Sequence, residues 1–382
     1  MLGCTFAGQT TLLGIDGWRW IFYLNVPLGL LALCVVLRHL SLPRKHSAAR
    51  IDFLGAGLLT STVIPVLLLA EKGRDWGWGS ALSLGLLVVS AASLAAFVAW
   101  ERRMGETAIL PLRVFSSSVF SITSVTAVLV GAGMFGGIVV LPLYLQIVRG
   151  SSPTAAGLQL IPLMVGILIT SMVSGKVMSR TGRYKVLPII GTSLMFTGLM
   201  LMSTLGVDTP LWHAMVFMVL MGAGLGLSMQ TLVISVQNAL PPRDMGIATS
   251  SVSFFRSLGG TLGAAVALGI LFGSLAGNIQ DRARAAGLPA EVVDRFSSAT
   301  ALDDSSIIPT LPDAVERAVL AGFTDSMSTV FVVIALLLVP AFVLALLVQE
   351  VPLRAKGGLA AAHADAKTEE ALSTTRSETA VL

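Results

Sequence analysis

The chain has 382 residues, of which 54% are hydrophobic and 12% are charged, and its formal net charge at pH 7 is +4. Soluble globular domains carry roughly 25% charged residues, so this composition excludes an ordinary soluble fold. Several apolar runs reach the roughly 20 residues that a helix needs to cross about 30 Å of hydrocarbon. We therefore predict an all-α polytopic membrane protein. The four histidines and two cysteines are scattered and show no metal-ligand spacing.

Nine apolar segments are long enough to be full transmembrane helices. In chain order they are 18–39, 53–71, 79–100, 119–144, 154–174, 186–206, 211–236, 247–273 and 325–349. Residues 1–15 are also apolar, but as a helix they would extend only about 22 Å. We interpret them as the outer half of a helix whose inner half lies upstream.

Lysine and arginine are distributed unequally between the two sets of alternate connections. Twelve follow the first, third, fifth and seventh full spans, and four lie in the other short connections. Because basic residues accumulate in cytoplasmic loops, the twelve-residue side and the carboxyl terminus are predicted to be cytoplasmic, with the chain in the cell inner (plasma) membrane. Since the basic residues occupy four separate loops rather than one patch, we expect no nucleic-acid partner.

Two segments are predicted to lie outside the membrane. Residues 274–322 join the last two spans on the outer side, and their apolar residues recur at helical spacing, at Ile279 and Ala283 and again at Val292 and Phe296. This outer loop is predicted to form short amphipathic helices at the outer surface. Residues 350–382 have no apolar periodicity and are predicted to be a disordered cytoplasmic tail.

The loop after the fifth full span reads GKVMSRTGRYK over residues 175–185. Its glycines allow a tight turn, and its basic side chains can pair with carboxylates or with helix C-termini. The segment resembles the cytoplasmic loop signature of the major facilitator superfamily. The resemblance implies that a set of loop residues helps to latch the inward gate: Gly175, Ser179, Arg180, Gly182 and Arg183. Ser179 replaces the acidic residue usual in the family, and the alternative is that the basic residues are only positive-inside anchors.

The segment GWRWIFYLNVPLGL at 17–30 is similar to the junction of the fifth and sixth helices in the fourteen-helix drug:proton antiporter branch of that superfamily. The branch carries a Gly-Pro-x-x-Gly-Gly antiporter motif just before this junction. Here the corresponding positions are Gly3, Cys4, Ala7 and Gly8, so the motif is eroded. Further similar segments follow in the order that the branch shows: 52–59, 76–78, 109–115, 141–162 and 237–265.

The resemblance implies a major-facilitator helical bundle with nine full transmembrane helices plus a partial first one. Residues 1–39 would be a remnant of the N-terminal bundle, 40–114 a linker pair of transmembrane helices, and 115–349 the C-terminal six-helix bundle. Three G-x-x-x-G pairs indicate close helix approach, either as plain tight packing or as sliding faces: Gly133 and Gly137, Gly222 and Gly226, and Gly259 and Gly263.

Polar residues inside predicted spans are candidates for substrate contact, because such residues are expensive in hydrocarbon and commonly functional. Arg256 is the clearest, since an arginine there must face the bundle interior, a water-filled cavity or the inner interface. We predict that a central cavity is lined by polar and aromatic residues: Gln146, Gln230, Gln237, Asn238, Phe254, Phe255 and Arg256. The alternative for Gln237 and Asn238 is that they cap a helix near the cytoplasm.

The function that the resemblance implies is secondary active transport, the proton-coupled efflux of amphiphilic drugs or metabolites by alternating access. The proton gradient would supply the energy without any cofactor, and the partners would be the lipid bilayer and a small amphiphilic substrate. Carboxylates suited to proton coupling are scarce, since Glu71 and Asp325 lie at the outer ends of predicted spans.

Two alternatives come from other classes of protein. The first is a truncated, non-transporting membrane fragment of such a transporter, whose missing N-terminal helices would belong to a longer chain. The second is a membrane-embedded enzyme, which we do not expect because the chain has neither an H-E-x-x-H nor a G-x-S-x-G motif.

Overall fold

The structure is a computed structural model that describes residues 11–12, 15–39, 52–105, 108–288, 308 and 311–350. Its helices are α1 (Gly17–His39), α2 (Phe53–Trp76), α3 (Ala81–Met104), α4 (Ser118–Leu143), α5 (Pro153–Gln159), α6 (Ile161–Thr181), α7 (Val186–Met202), α8 (Leu211–Ala239), α9 (Met245–Ala285) and α10 (Asp313–Leu347). A π-helical turn, Tyr144–Val148, continues α4, and short 3-10 helices at Leu112–Ser116 and Pro242–Asp244 precede α4 and α9.

Each of the nine predicted spans coincides with a helix of the structure. Within the described residues, seven helical segments are long and apolar enough to cross a membrane by length and composition. The two shorter apolar helices are Asn25–His39, which is the apolar part of α1, and α7 with 17 residues. The chain is thus confirmed as an all-helical membrane bundle, while the count of nine full spans stays a prediction.

The prediction for the segment before α1 is wrong at its carboxyl end. Instead of continuing a helix to residue 15, Thr11–Leu12 and Ile15–Asp16 form β1 and β2, a two-residue antiparallel pair. Thr11 pairs with Asp16 and Leu12 with Ile15. The intervening Gly14 and the Asp16–Gly17 step favour a turn over a helix. Residues 1–10 lie outside the described part of the chain.

The prediction of an outer loop that starts at residue 274 is also wrong. Helix α9 continues without interruption to Ala285, and α10 begins at Asp313. Ile279 and Ala283, assigned above to a separate surface helix, are buried on α9 itself. Their helical spacing is real, but it belongs to an extension of the spanning helix that packs against α10. Residues 292–296 and the tail after 350 lie outside the described residues.

Helices α4 and α6–α10 form one bundle, and α4 lies between α9 and α10 with its most extensive contacts to α9. Helix α8 packs between α6 and α7, and α10 completes the bundle against α4, α7 and α9. One large apolar cluster, which includes Phe120, Met218 and Phe331, fills the space between these helices. Helices α2 and α3, the linker pair, pack mainly on each other, and α2 also touches α9.

The glycine pairs of the sequence lie at close helix contacts. A Cβ added to Gly222 would meet the Leu163 carbonyl of α6, and one added to Gly226 would meet the Ile167 carbonyl. Gly259 and Gly263 on α9 similarly face the carbonyls of Val128 and Ala132 on α4. The backbones are therefore in direct contact, as the close-approach interpretation requires.

Candidate functional site

Three loops meet at one end of the bundle, here called the basic end: 105–117 before α4, 182–185 between α6 and α7, and 240–244 between α8 and α9. The carboxyl end of α10 also lies at the basic end. There the buried Tyr184 hydroxyl donates to the Gln349 carbonyl, just after α10, over 3.4 Å. The sequence predicts that this end faces the cytoplasm. The loops at the opposite end include 149–152 and 203–210.

The predicted gating loop is an ordered turn at the basic end. Gly182 ends α6 with φ +68°, and its N–H donates to the Met178 carbonyl. The Ser179 hydroxyl donates to the Lys176 carbonyl over 3.0 Å. The side chains of Arg180 and Arg183 are exposed, and neither forms an ion pair with a described residue. Gly175 has open space around its Cα.

An ion pair that the sequence did not predict lies at the same end. Arg113, in the 3-10 helix before α4, donates twice to the Asp244 carboxylate at 2.9 and 3.0 Å. Asp244 lies in the 3-10 helix before α9, and its side chain is 3% exposed against 36% for Arg113. Fork-shaped pairing of this kind is the strong form of an ion pair. It fixes the start of α4 to the start of α9.

The predicted cavity residues of α9 divide into an aromatic cluster and an arginine. The Phe254 and Phe255 rings are edge to face with centroids 5.5 Å apart, and Phe115 meets Phe255 at 6.4 Å. Arg256 is half-buried, and its side chain has no hydrogen-bond or ion-pair partner among the described residues. Its backbone carbonyl packs against Gly131 of α4. The close approach of the two helices therefore sets the position of this cation.

Gln237 and Asn238 lie at the junction of α8 and α9. The Gln237 side-chain amide donates to the Thr249 hydroxyl over 2.7 Å, which joins the last turn of α8 to the second turn of α9. Asn238 is 9% exposed. This geometry favours the helix-end interpretation for Gln237, and its role in a cavity stays a prediction.

Gln146 is exposed on the π-helical turn that continues α4, and Gln230 is exposed on α8. None of the seven predicted residues is in the lining of the three cavities that follow, and their role in one central cavity stays a prediction. Three cavities of the described region have other linings. One of 710 Å³ lies between α2 and α9, with Leu69 and Phe272 in its walls. One of 360 Å³ lies beside Arg113 and Asp244, and one of 270 Å³ lies between α7 and α10.

Two buried carboxyl groups in the linker pair were missed at the sequence level. Asp52 is 6% exposed and accepts the Gly55 N–H at 2.8 Å, as an N-terminal helix cap does. It also accepts the Trp100 indole N–H, at 3.0 Å from each oxygen. Glu101, the next residue along α3, is 1% exposed. The predicted span ended at residue 100, so both groups were placed in loops.

The acidic residues that were placed at the outer ends of spans are more exposed. Asp325 accepts two hydrogen bonds from Arg282, which ties the extension of α9 to α10 beyond the apolar part of the bundle. Glu71 is exposed at the end of α2, beside the 710 Å³ cavity. Within the described ranges no three His, Cys, Asp or Glu side chains cluster as metal ligands. The eroded motif with Gly3, Cys4, Ala7 and Gly8 lies outside the described residues.

Comparison with known proteins identifies one family. The family model described as "Major Facilitator Superfamily" matches residues 1–264. An uncharacterised MFS-type transporter of Mycobacterium tuberculosis is 37% identical over 338 residues, which are 88% of this chain and 48% of that protein. The tetracycline resistance determinant of Streptomyces rimosus is 39% identical over 230 residues, 60% of this chain and 66% of that protein.

A multidrug transporter of Bacillus subtilis is 32% identical over 263 residues, 69% of this chain and 48% of that protein. The chain therefore spans about half the length of the mycobacterial and Bacillus relatives, and 66% of the length of the Streptomyces one.

Proposed function

Because the chain belongs to the major facilitator superfamily, we propose that its protein is a secondary active transporter that exports amphiphilic drugs or metabolites in exchange for protons. The multi-pass helical bundle supports a site inside the membrane. The names of the Streptomyces and Bacillus relatives support tetracycline and other drugs as the first compounds to test. The basic end would face the cytoplasm, as would the carboxyl terminus.

Transport in this proposal occurs by alternating access. Two helical bundles would rock around a site near the middle of the membrane, as transporters built from repeated bundles do. Helices α4 and α6–α10 would be one of these bundles, and the linker pair α2–α3 lies outside it. The Arg113–Asp244 pair would hold α4 and α9 together as one body during the motion.

Arg256 is the observation that carries the proposal. A cation within a membrane-spanning helix is stable only where it meets water, a partner or the interface. Arg256 is half-buried on α9 and has no ion-pair or hydrogen-bond partner among the described residues. Phe254 and Phe255 precede it on the same helix, so an amphiphile could meet aromatic surface and a guanidinium together. Transmembrane arginines in such a position are functional sites by default.

The test is an efflux assay in cells that express the native gene, with tetracycline and a lipophilic cationic dye as separate probes. We expect export to stop when a protonophore collapses the proton gradient. We expect Arg256→Ala to lower export of at least one probe about tenfold or more, equivalent to about 1.4 kcal/mol. The amount of protein in the membrane is measured by immunoblot.

Arg284→Ala is the matched control, because Arg284 is exposed near the end of α9 and its ion-pair partner among the described residues, Asp281, lies at 3.9 Å. This variant should export both probes at the normal rate. Normal export by Arg256→Ala at equal protein level would contradict the role of Arg256. Export that persists after collapse of the gradient would contradict proton coupling.

A further inference from the structure

Glu101 is a buried carboxyl group that the transport proposal leaves without a role. It lies in the last turn of α3 and is 1% exposed. Its Oε2 atom accepts the Leu110 N–H at 3.3 Å, and the Ile109 N–H also points at the carboxyl group. Its Oε1 atom is buried and has no hydrogen-bond partner among the described residues. One oxygen is thus anchored to the backbone, and the other is buried without a donor from the described part of the chain.

Among the described residues, the charges around Glu101 do not compensate a negative charge on it. A second carboxyl group, Asp52 at the start of α2, lies near Glu101. The indole N–H of Trp100, the residue before Glu101, donates to both Asp52 oxygens. On α3 itself Arg102 and Arg103 are exposed, and neither forms an ion pair with Glu101 among the described residues. Arg113, in the 3-10 helix before α4, forms its ion pair with Asp244 and not with Glu101.

The helix itself also disfavours ionised Glu101. The C-terminus of an α-helix carries roughly half a negative charge from its unpaired carbonyl groups, and the effect is concentrated in the last turn. Glu101 lies in that turn, and its own carbonyl accepts the N–H of the helix-ending Gly105. An acidic side chain at this position is on the unfavourable side of the helix dipole.

The hydrogen bonds of the neighbouring carboxyl group, Asp52, differ from those of Glu101. Both Asp52 oxygens accept hydrogen bonds, one from a backbone N–H at the start of a helix and both from an indole N–H. The N-terminus of a helix favours a negative charge. Both oxygens of Asp52 therefore have hydrogen-bond donors, whereas the Oε1 atom of Glu101 has none among the described residues.

We propose that Glu101 is a proton-binding site of the linker pair, neutral in the arrangement seen here. A buried charge without a partner is much more costly in free energy than a buried neutral hydroxyl without a partner. The proton adds to the Oε1 atom, since Oε2 already accepts the Leu110 N–H. It comes from the aqueous phase at the basic end, next to which α3 ends.

The site is linked to the bundle through a short stretch of chain. Glu101 holds Leu110, and three residues later Arg113 pairs with Asp244 at the start of α9. Ionisation of Glu101 would require water or a cation at Oε1, which its present burial does not allow. Release of the proton is therefore coupled to undocking of the 108–110 segment from α3. This inference concerns proton binding in the linker pair and does not depend on the compound transported.

Infrared spectroscopy tests the inference without any transport assay. In the purified protein at neutral pH, a buried neutral glutamic acid gives the carbonyl-stretch band of a protonated carboxyl group. Incorporation of glutamate labelled with 13C at the side-chain carboxyl should shift this band, and labelled aspartate should not. This part of the test uses the unaltered chain, so it does not depend on the folding of a variant.

Variants then assign the band to one residue. Glu101→Gln keeps an oxygen acceptor for the Leu110 N–H and should remove the band, while Asp52→Asn and the exposed Glu71→Gln should retain it. The inference is overturned if labelled glutamate shifts no protonated-carboxyl band, or if the band remains in Glu101→Gln. Because drug export is not measured, either result would leave the proposed efflux function intact.

Discussion

The linker pair and the six-helix bundle use similar apolar sequences in different ways. In the most apolar 18-residue stretches, 17% of the residues are buried in α2 and in α3, against 56% in α4 and in α8, although the α5–α6 segment at the edge of the bundle is also 17% buried. The hydropathy of these four stretches is nearly the same, between 1.8 and 2.3. Hydropathy alone therefore indicates that a helix lies in the membrane, and the neighbours of the helix decide whether its side chains meet protein or lipid.

Buried polar groups differ between the two regions in a related way. In the bundle, hydroxyls such as those of Thr192, Ser228 and Thr231 donate to carbonyls one turn earlier on their own helices. The buried carboxylate of the bundle, Asp244, has an arginine partner. In the linker pair Glu101 has no cationic partner among the described residues. Many hydroxyls of the bundle are thus satisfied within their own helices, although the Ser124 hydroxyl and the His213 Nδ1 atom are buried without a partner among the described residues, as is the Glu101 Oε1 atom. Of these three groups only Glu101 is a carboxyl group.

The largest expected effect comes from adding a side chain at a glycine in each region. Gly259→Leu would place atoms against the Val128 carbonyl of α4, and a backbone contact of this kind cannot move aside. We expect a loss of about 3 kcal/mol or more in the free energy of unfolding. Gly85→Leu in α3 meets open space and should be neutral or stabilising by about 1 kcal/mol, since leucine favours helix more than glycine does.

Unfolding of the purified variants in mixed detergent micelles measures both changes. If Gly259→Leu were as stable as the unaltered protein, the contact between α4 and α9 would be looser than described. If Gly85→Leu were equally damaging, the linker pair would be packed against protein at that position.

A smaller effect on the free energy of unfolding is expected when the ion pair at either end of the bundle is broken, and its size should differ between the two ends. Arg113→Met leaves the Asp244 carboxylate, which is 3% exposed, without its partner. Breaking a fully buried pair costs about 3–5 kcal/mol, and we expect the lower end of this range because the Arg113 side chain is 36% exposed. Arg282→Met breaks the pair with Asp325, in which the side chains are 53% and 36% exposed. Exposed pairs contribute about 0–1 kcal/mol, so the second variant should be almost as stable as the unaltered protein.

Unfolding in mixed detergent micelles also measures the stability of the Arg113→Met and Arg282→Met variants. The same measurement at high salt is the control. Salt should reduce the small contribution of the Arg282 pair and have little effect on the Arg113 pair, because buried charges are screened less. Equal losses in the two variants would contradict the buried character of the Arg113–Asp244 pair. The double variant Arg113→Met, Asp244→Leu should recover part of the stability, because no uncompensated charge remains.

Much of the architecture could be predicted from the sequence. Apolar length located helical structure for each of the nine predicted spans, because a spanning helix must satisfy its backbone internally and present about 20 apolar residues to lipid. The break between α5 and α6 within the span 154–174 was not predicted. The end of α9 could not be located in this way. Its residues beyond 273 include Asp281 and Arg282, so hydropathy falls although the helix continues against α10. A side-chain charge ends an apolar run without ending a helix.

The site was less accessible to sequence reasoning. Arg113 and Asp244 are 131 positions apart, and their pairing depends on how the starts of α4 and α9 meet. Arg113 was counted only as a positive-inside residue. Glu101 was overlooked because it precedes two arginines, and the charge run was interpreted as a loop. A signal was present, since Asp52 and Glu101 flank the two apolar stretches of the linker pair.

The central claim is the exchange of an amphiphilic compound for protons, and it is tested most directly in liposomes that contain the purified product of the native gene. A pH difference is imposed across the membrane, and a trapped pH indicator reports proton movement. The account predicts that tetracycline or a lipophilic cationic dye starts proton movement down the gradient and that the probe moves in the opposite direction. For at least one probe, Arg256→Ala should lower both movements about tenfold or more. Movement of the probe at the same rate with and without the pH difference would contradict the account.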